Sequence, residues 1–185
     1  MKILLHICCA PCAIYPVEAL TGAGHYVHGF FFNPNIHPYQ EFGRRLAALE
    51  TYARKAKLPV IWDRAYDLEG FFRAVVFREG ERCRFCYYQR LTAVARVAKA
   101  GKFEAFTSTL LYSKYQNHEL IREVAQQVVR EVGMPFYYED FRRGWQRGRD
   151  KTKKMGLYKQ QYCGCVFSER DRFLPPPPAN RGQPA

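Results

Sequence analysis

The chain has 185 residues, 48% of them hydrophobic and 16% aromatic, with a formal charge of +12 and a pI near 9.5. That length builds one domain with a proper core rather than two, and the composition is globular, not disordered. No run approaches the roughly 18 apolar residues of a membrane span, and Ile3–Leu5, broken at once by His6, falls short of the apolar region of about 7–15 residues in a secretory signal. The chain is therefore expected in the cytoplasm, with no membrane partner. Its positive charge favours a polyanion, nucleic acid first, with a solvated basic surface as the alternative.

In chain order, Lys2–His6 reads as a first strand, followed by a helix near 13–23, a strand over Tyr26–Phe32 and a helix near 40–57. A strand over Val60–Asp63 precedes a helix over 67–77, which Asp67 can cap, and a helix over 83–100. A strand at Phe103–Thr109 leads to the clearest helix, 117–132. There Leu120, Ile121, Val124, Val128 and Val132 recur at three- and four-residue spacing behind Asn117, a good N-cap. Pro135–Tyr138 is the last strand expected. Strands alternating with helices of this length predict an α/β fold, a parallel sheet flanked by helices. Ligands of such sheets bind beyond the carboxyl ends of the strands, and the first cysteines fall there. Residues 1–173 are expected to form a single catalytic domain. Residues 174–185 carry the run Pro175–Pro178 and read as a disordered or polyproline II tail.

The seven cysteines are grouped: Cys8, Cys9 and Cys12; Cys83 and Cys86; Cys163 and Cys165. In a reducing compartment such groups bind metals or do redox chemistry more often than they staple a fold. Cys83-Arg-Phe-Cys86 offers two thiolates from one side of a helix start, which suits a metal or a cluster, although thioredoxin-like pairs share the spacing. Cys8 and Cys9 are adjacent, which a zinc knuckle rarely uses. They can instead supply two thiolates to a larger object such as a 4Fe-4S cluster completed by Cys83 and Cys86. Zinc on Cys9, Cys12, Cys83 and Cys86 is the alternative. Only Gly164 separates Cys163 from Cys165, so a disulfide there would close a very small ring. Strained disulfides are the labile, catalytic ones, so this pair reads as redox-active rather than as two more ligands.

Upstream of Cys163 lies the strongest basic run: Arg142, Arg143, Arg147, Arg149, Lys151, Lys153 and Lys154, with Trp145 inside it and Tyr158 and Tyr162 following. Cations that meet phosphates and aromatic faces that stack on splayed bases hold single-stranded RNA loops; a solvated helix face with a buried Trp145 is the plain alternative. His6 reads as a strand-end histidine and His118 as a first-turn helix residue. The loop Asn33–Tyr39, with His37, and the polar residues Ser108, Thr109, Tyr112, Lys114 and Tyr115 are placed to border the same sheet edge.

Leu5-His6-Ile7-Cys8-Cys9-Ala10-Pro11-Cys12, Cys83-Arg-Phe-Cys86-Tyr87, Thr107-Ser-Thr-Leu-Leu111 and Tyr162-Cys163-Gly-Cys165 together resemble the epoxyqueuosine reductases of the QueH type, iron–sulfur enzymes that do not use cobalamin. The resemblance runs from the first strand to about Phe167. It implies the last step of queuosine synthesis, the two-electron reduction of the epoxide of epoxyqueuosine at the wobble position of tRNA. It also implies a 4Fe-4S cluster on Cys8, Cys9, Cys83 and Cys86, and a redox-active disulfide between Cys163 and Cys165. Cys12 is left as a spare thiol, a ligand to a second mononuclear metal or an exchangeable cluster ligand. The basic run would hold the anticodon stem-loop, and the electron donor is unidentified. The family is also similar to the adenine-nucleotide α-hydrolase-like folds (HUP, PP-loop), which place a glycine-rich phosphate loop after the first strand. Cys8-Cys9-Ala-Pro-Cys12 has no glycine to cradle a phosphate, so ATP is not expected. The readings from other classes are an iron–sulfur tRNA thiolase and a zinc-stabilised RNA-binding module without catalysis.

Overall fold

The computed structural model describes residues 1–175. The strands β1 (Lys2–His6), β2 (Tyr26–Phe32), β3 (Val60–Asp63) and β4 (Ala105–Ser108) pair in parallel in the order β3-β2-β1-β4. The apolar run Ile3-Leu4-Leu5 is fully buried, as a central strand covered on both faces requires. Leu5 lies opposite Gly29 on one side and Thr107 on the other.

Among the described residues, seven α-helices join and cover the strands: α1 (Ala10–Gly22), α2 (Tyr39–Ala56), α3 (Leu68–Val75), α4 (Arg82–Ala100), α5 (His118–Val132), α6 (Trp145–Lys154) and α7 (Val166–Phe173). The chain steps outward from β1 to β2 to β3 and then crosses back to β4. Right-handed crossovers therefore put α1 and α2 on one face and α4 on the other. In accord with this, α1 packs on α2 and α4 on α5. The reversal makes the β1/β4 carboxyl end the topological switch point of the sheet, where doubly wound folds bind ligands.

Most expected elements form within a few residues of their sequence bounds. Asn117 Oδ1 accepts the Leu120 N–H to cap α5, Ile121, Val124 and Val128 are buried, and Gly133 ends the helix at φ 67°. Three expectations need correction. Pro135–Tyr138 is not a strand: it makes one bridge, Phe106 to Phe136, because Pro135 has no N–H to extend a ladder. The first helix begins at Ala10, not 13, because Pro11 sits in its first turn, where a missing N–H costs nothing. The helices α6 and α7 have no counterpart among the expected elements. Of the expected tail, Leu174 and Pro175 are exposed and 176–185 lie outside the described residues. No helix among the described residues is long and apolar enough to cross a membrane.

Candidate active site

The first thiol pocket is built where β1 hands the chain to α1. His6 pins the strand end, its Nδ1 on Ser108 Oγ (2.9 Å) and its Nε2 on the Phe32 carbonyl (3.1 Å). Asn33 donates to the Ile7 carbonyl at 2.9 Å, and the Cys8 N–H donates to Thr109 Oγ1 at 3.1 Å. So placed, Cys9 becomes the N-cap of α1 and Cys12 lies in its first turn, three residues on and on the same side. The sulfurs of Cys8, Cys9 and Cys12 all lie within 4.8 Å of one another, in residues no more than 8% exposed. Hydrogen bonds from the Cys12 and Cys9 thiols hold Cys8 well below the ordinary thiol range, with help from Thr109. Burial pushes Cys9 up, and the bond to Cys8 pushes Cys12 up. The pocket thus concentrates negative charge on Cys8, close to the positive end of α1. Over it, Gln160 Nε2 donates to Cys9 Sγ (2.9 Å) and Cys12 Sγ (3.5 Å).

The second thiol group comes from two distant segments. Cys83 and Cys86 occupy the first turns of α4, and Cys163 and Cys165 lie in the loop before α7. The loop is latched by its backbone. Arg45 Nη1 donates to the Cys163 carbonyl (2.6 Å) and Nη2 to the Tyr162 carbonyl (3.0 Å), while its Nε pairs with Glu41 (2.7 Å). The His37 N–H donates to the Gly164 carbonyl (2.8 Å), and Tyr162 Oη donates to the His37 carbonyl (2.5 Å). Gln116 Nε2 donates to Cys163 Sγ at 3.0 Å, and its Oε1 accepts from Tyr87 Oη at 2.8 Å. Cys83 and Cys86 both feel the charges of Cys163 and Cys165, so the two segments face each other. Burial pushes Cys86 up to about 12, whereas Cys83 and Cys163 lie exposed at the surface. The expected Cys163–Cys165 disulfide is not formed in this structure: both are free thiols.

Arg90 links the groups. It follows Cys83 and Cys86 on α4 at helical spacing, is 2% exposed, and has Cys86, Cys163 and Cys8 as its strongest favourable electrostatic neighbours. Among the described residues its one hydrogen bond is from Nη2 to Asn35 Oδ1 (2.6 Å), and its Nε has no partner there. Arg45, by contrast, is neutralised by Glu41. A buried guanidinium with no carboxylate is costly unless something else supplies the negative charge. Here Cys8, held well below the ordinary thiol range, is the anionic neighbour, and Cys86 and Cys163 would add charge only as metal-bound thiolates. A soft all-sulfur donor set, buried at Cys8, Cys9 and Cys12 and open to solvent at Cys83 and Cys163, beside an uncompensated cation fits an anionic iron–sulfur group. The geometry sets Cys12 with Cys8 and Cys9, and Cys83 and Cys86 beside the Cys163–Cys165 loop.

The basic run forms α6 and the turn before it. Gly144 and Gly148 bring it close: a Cβ on Gly144 would lie 2.1 Å from the Tyr15 ring, and one on Gly148 2.2 Å from Tyr112 Oη. Arg142 pairs with Asp140, Arg143 with Glu139, and Arg147 and Lys151 with Glu18. Arg149, Lys153 and Lys154 have no carboxylate partner among the described residues. The run is therefore half scaffold, half available charge. Trp145 is half-buried and Tyr158 donates to Glu41, so neither is wholly free for a ligand.

Sequence reasoning passed over Arg45, Arg90, Gln116 and Gln160. Arg90 was within reach, since it lies four and seven residues after Cys86 and Cys83 on one helix. The glutamines carried no local signal.

The chain matches the family described as "Epoxyqueuosine reductase QueH" over residues 3–171. It is 37% identical over 175 residues to the epoxyqueuosine reductase QueH of Dehalococcoides mccartyi, covering 95% of this chain and 96% of that one. With its counterpart from Thermotoga maritima it shares 32% identity over 179 residues, covering 92% and 91%. Among solved structures, a predicted subunit of tRNA methyltransferase from Methanocaldococcus jannaschii superposes with a TM-score of 0.56 at 10% identity, over 82% of this chain and 74% of that one. That likeness is one of fold, and it places the sheet in a wider α/β group. With the thiol motifs in place and nearly the whole length matched, the chain belongs to the epoxyqueuosine reductase QueH family and is an oxidoreductase.

Proposed function

We propose that the chain reduces the epoxide of epoxyqueuosine to queuosine at the wobble position of tRNA, with residues 1–173 as the catalytic unit. The observation that carries this reading is the pair of thiol groups flanking one buried, carboxylate-free Arg90 at the switch point of the sheet. In this reading Cys8, Cys9, Cys83 and Cys86 hold a 4Fe-4S cluster. Cys12, in the same pocket as Cys8 and Cys9, is an accessory ligand to it or to a second mononuclear metal. The cluster, when bound, supplies single electrons.

The chain's own residues do the rest. Cys163 and Cys165 act as a dithiol: as they pair, they release two electrons and two protons, the epoxide oxygen leaves as water, and the carbon–carbon double bond forms. An external electron donor then reopens the disulfide. The balance closes without ATP. Gln116, bonded to Cys163 Sγ, orients that thiol, and the latch of Arg45 and His37 holds the loop toward α4. The unpaired cations of α6 meet the phosphates of the anticodon stem-loop. A tRNA substrate puts this work in the cytoplasm.

The test is anaerobic purification with iron, sulfide and zinc analysis, followed by turnover of epoxyqueuosine-containing tRNA read by mass spectrometry of its nucleosides. A brown protein that converts epoxyqueuosine to queuosine is expected. A colourless protein with one zinc and no turnover would sink the reading.

A further inference from the structure

Between the Thr109–Tyr112 turn and α5, the loop 113–117 carries an aromatic ring that the core does not use. Tyr115 is 84% exposed, yet it is not loose. Its N–H donates to Ser113 Oγ (3.2 Å), and its ring meets the Trp145 ring edge-on, with centroids 5.7 Å apart at 76°. Trp145 in turn lies 5.3 Å from the buried Tyr112 ring, and Tyr112 Oη donates to the Trp145 carbonyl at 3.0 Å. An aromatic ladder thus runs from the core out to solvent. The residue after Tyr115 is Gln116, which touches Cys163 Sγ, so the exposed end of the ladder stands at the mouth of the thiol centre.

Charge marks the occupant. Lys114 Nζ sits 5.7 Å from the Trp145 ring centroid. On α6, Trp145, Arg149 and Lys153 follow one another at four-residue spacing and so share a face, and neither cation has a carboxylate partner among the described residues. An ordered, solvent-facing aromatic beside a row of unpaired cations is the arrangement that holds an unpaired nucleobase on its π-face and the following phosphates on the cations. A protein partner would leave that row of cations unexplained.

We infer that Tyr115, backed by Trp145, is a stacking platform for one unpaired base of a single-stranded RNA loop, and that Lys114, Arg149 and Lys153 track the adjoining phosphates. The inference rests on the tRNA reading above and adds the residues that select a loop over a helix. A base inside a duplex hides both faces and cannot use the platform.

The experiment compares wild type, Tyr115→Ala, Tyr115→Phe and Lys153→Gln by fluorescence anisotropy, on a labelled anticodon stem-loop RNA and on a blunt RNA duplex of equal length, across a salt series. Tyr115→Ala is expected to weaken stem-loop binding about tenfold at every salt concentration and to leave duplex binding unchanged. Tyr115→Phe, which keeps the ring, should bind as wild type. Lys153→Gln should weaken both RNAs, with a loss that shrinks as salt rises. If Tyr115→Ala binds the stem-loop as tightly as wild type, or loses equally on both RNAs, the platform is wrong while the reductase reading stands. Wild-type protein that binds neither RNA would sink both.

Discussion

The two thiol groups of this protein are built in opposite ways. Cys8, Cys9 and Cys12 come from five consecutive residues, and one strand–helix junction, made rigid by His6, Asn33 and Pro11, buries all three. Cys83, Cys86, Cys163 and Cys165 come from segments some eighty residues apart. They depend on a latch in which Arg45 and His37 grip backbone carbonyls. The difference fits the jobs proposed above. A ligand pocket gains from local rigidity, since its sulfurs must stay within bonding reach of one group. Within the second group, Cys83 and Cys86 are rigid on a helix and suit the same ligand role, whereas the Cys163–Cys165 dithiol, held by its backbone, keeps its sulfurs free to change partners.

The comparison breaks first on the cysteines themselves. Cys163→Ser and Cys165→Ser should each lower turnover by at least about 10³-fold while iron content and colour persist. Cys8→Ser should instead lose the iron. Loss of iron from the Cys163→Ser protein would make that residue a ligand and erase the distinction.

The latch comes next. Arg45→Ala leaves Glu41 buried without its cation and releases two carbonyls, which should cost about 3–5 kcal/mol in urea unfolding. In the same variant, Cys163 should be alkylated faster, with Cys8 unchanged, because only the second group hangs on the latch. Equal acceleration of both cysteines would mean that Arg45 supports the fold at large.

A smaller loss tests the docking of α6. Gly148→Ala sets a methyl 2.2 Å from Tyr112 Oη, and overpacking of this kind costs about 1–3 kcal/mol. Thermal unfolding should show it, with RNA binding weakened and iron content intact.

The last effect is a pH dependence. Burial, with the charge of Arg90 behind it, lowers His6 and His37 to about 4 from 6.5. Between those values the unfolded chain binds protons that the folded chain refuses. The stabilisation from keeping both rings neutral is therefore complete above pH 6.5 and is lost as pH falls toward 4. The urea midpoint should fall over that window, and His37→Asn should flatten the fall. A midpoint constant from pH 7 to 4.5 would contradict the burial of these rings.

How much of this could be read along the chain varies with the range of the interaction. The strands, the cap at Asn117 and the apolar stripe of α5 are local patterns, and they form as written. Pro135–Tyr138 misled because its composition is strand-like while its place at the sheet edge, behind a proline, allows a single bridge. The basic run was legible as charge but not as chemistry: four of its seven cations are spent on Asp140, Glu139 and Glu18, of which Glu18 lies far back on α1.

The sequence by itself determined the α/β alternation, the three cysteine groups and, through the spacing of their motifs, the family. Those features repeat over a few residues, so each segment carries its own signal. Only the tertiary structure decided that Cys12 joins Cys8 and Cys9, that Arg90 stands between the groups without a carboxylate, and that Gln116 and Gln160 reach the sulfurs. Such contacts join residues up to about 150 positions apart, from Cys9 to Gln160. Nothing in the local pattern of either residue records the other, and only the crossing of the chain at the β1/β4 switch point brings them to one place.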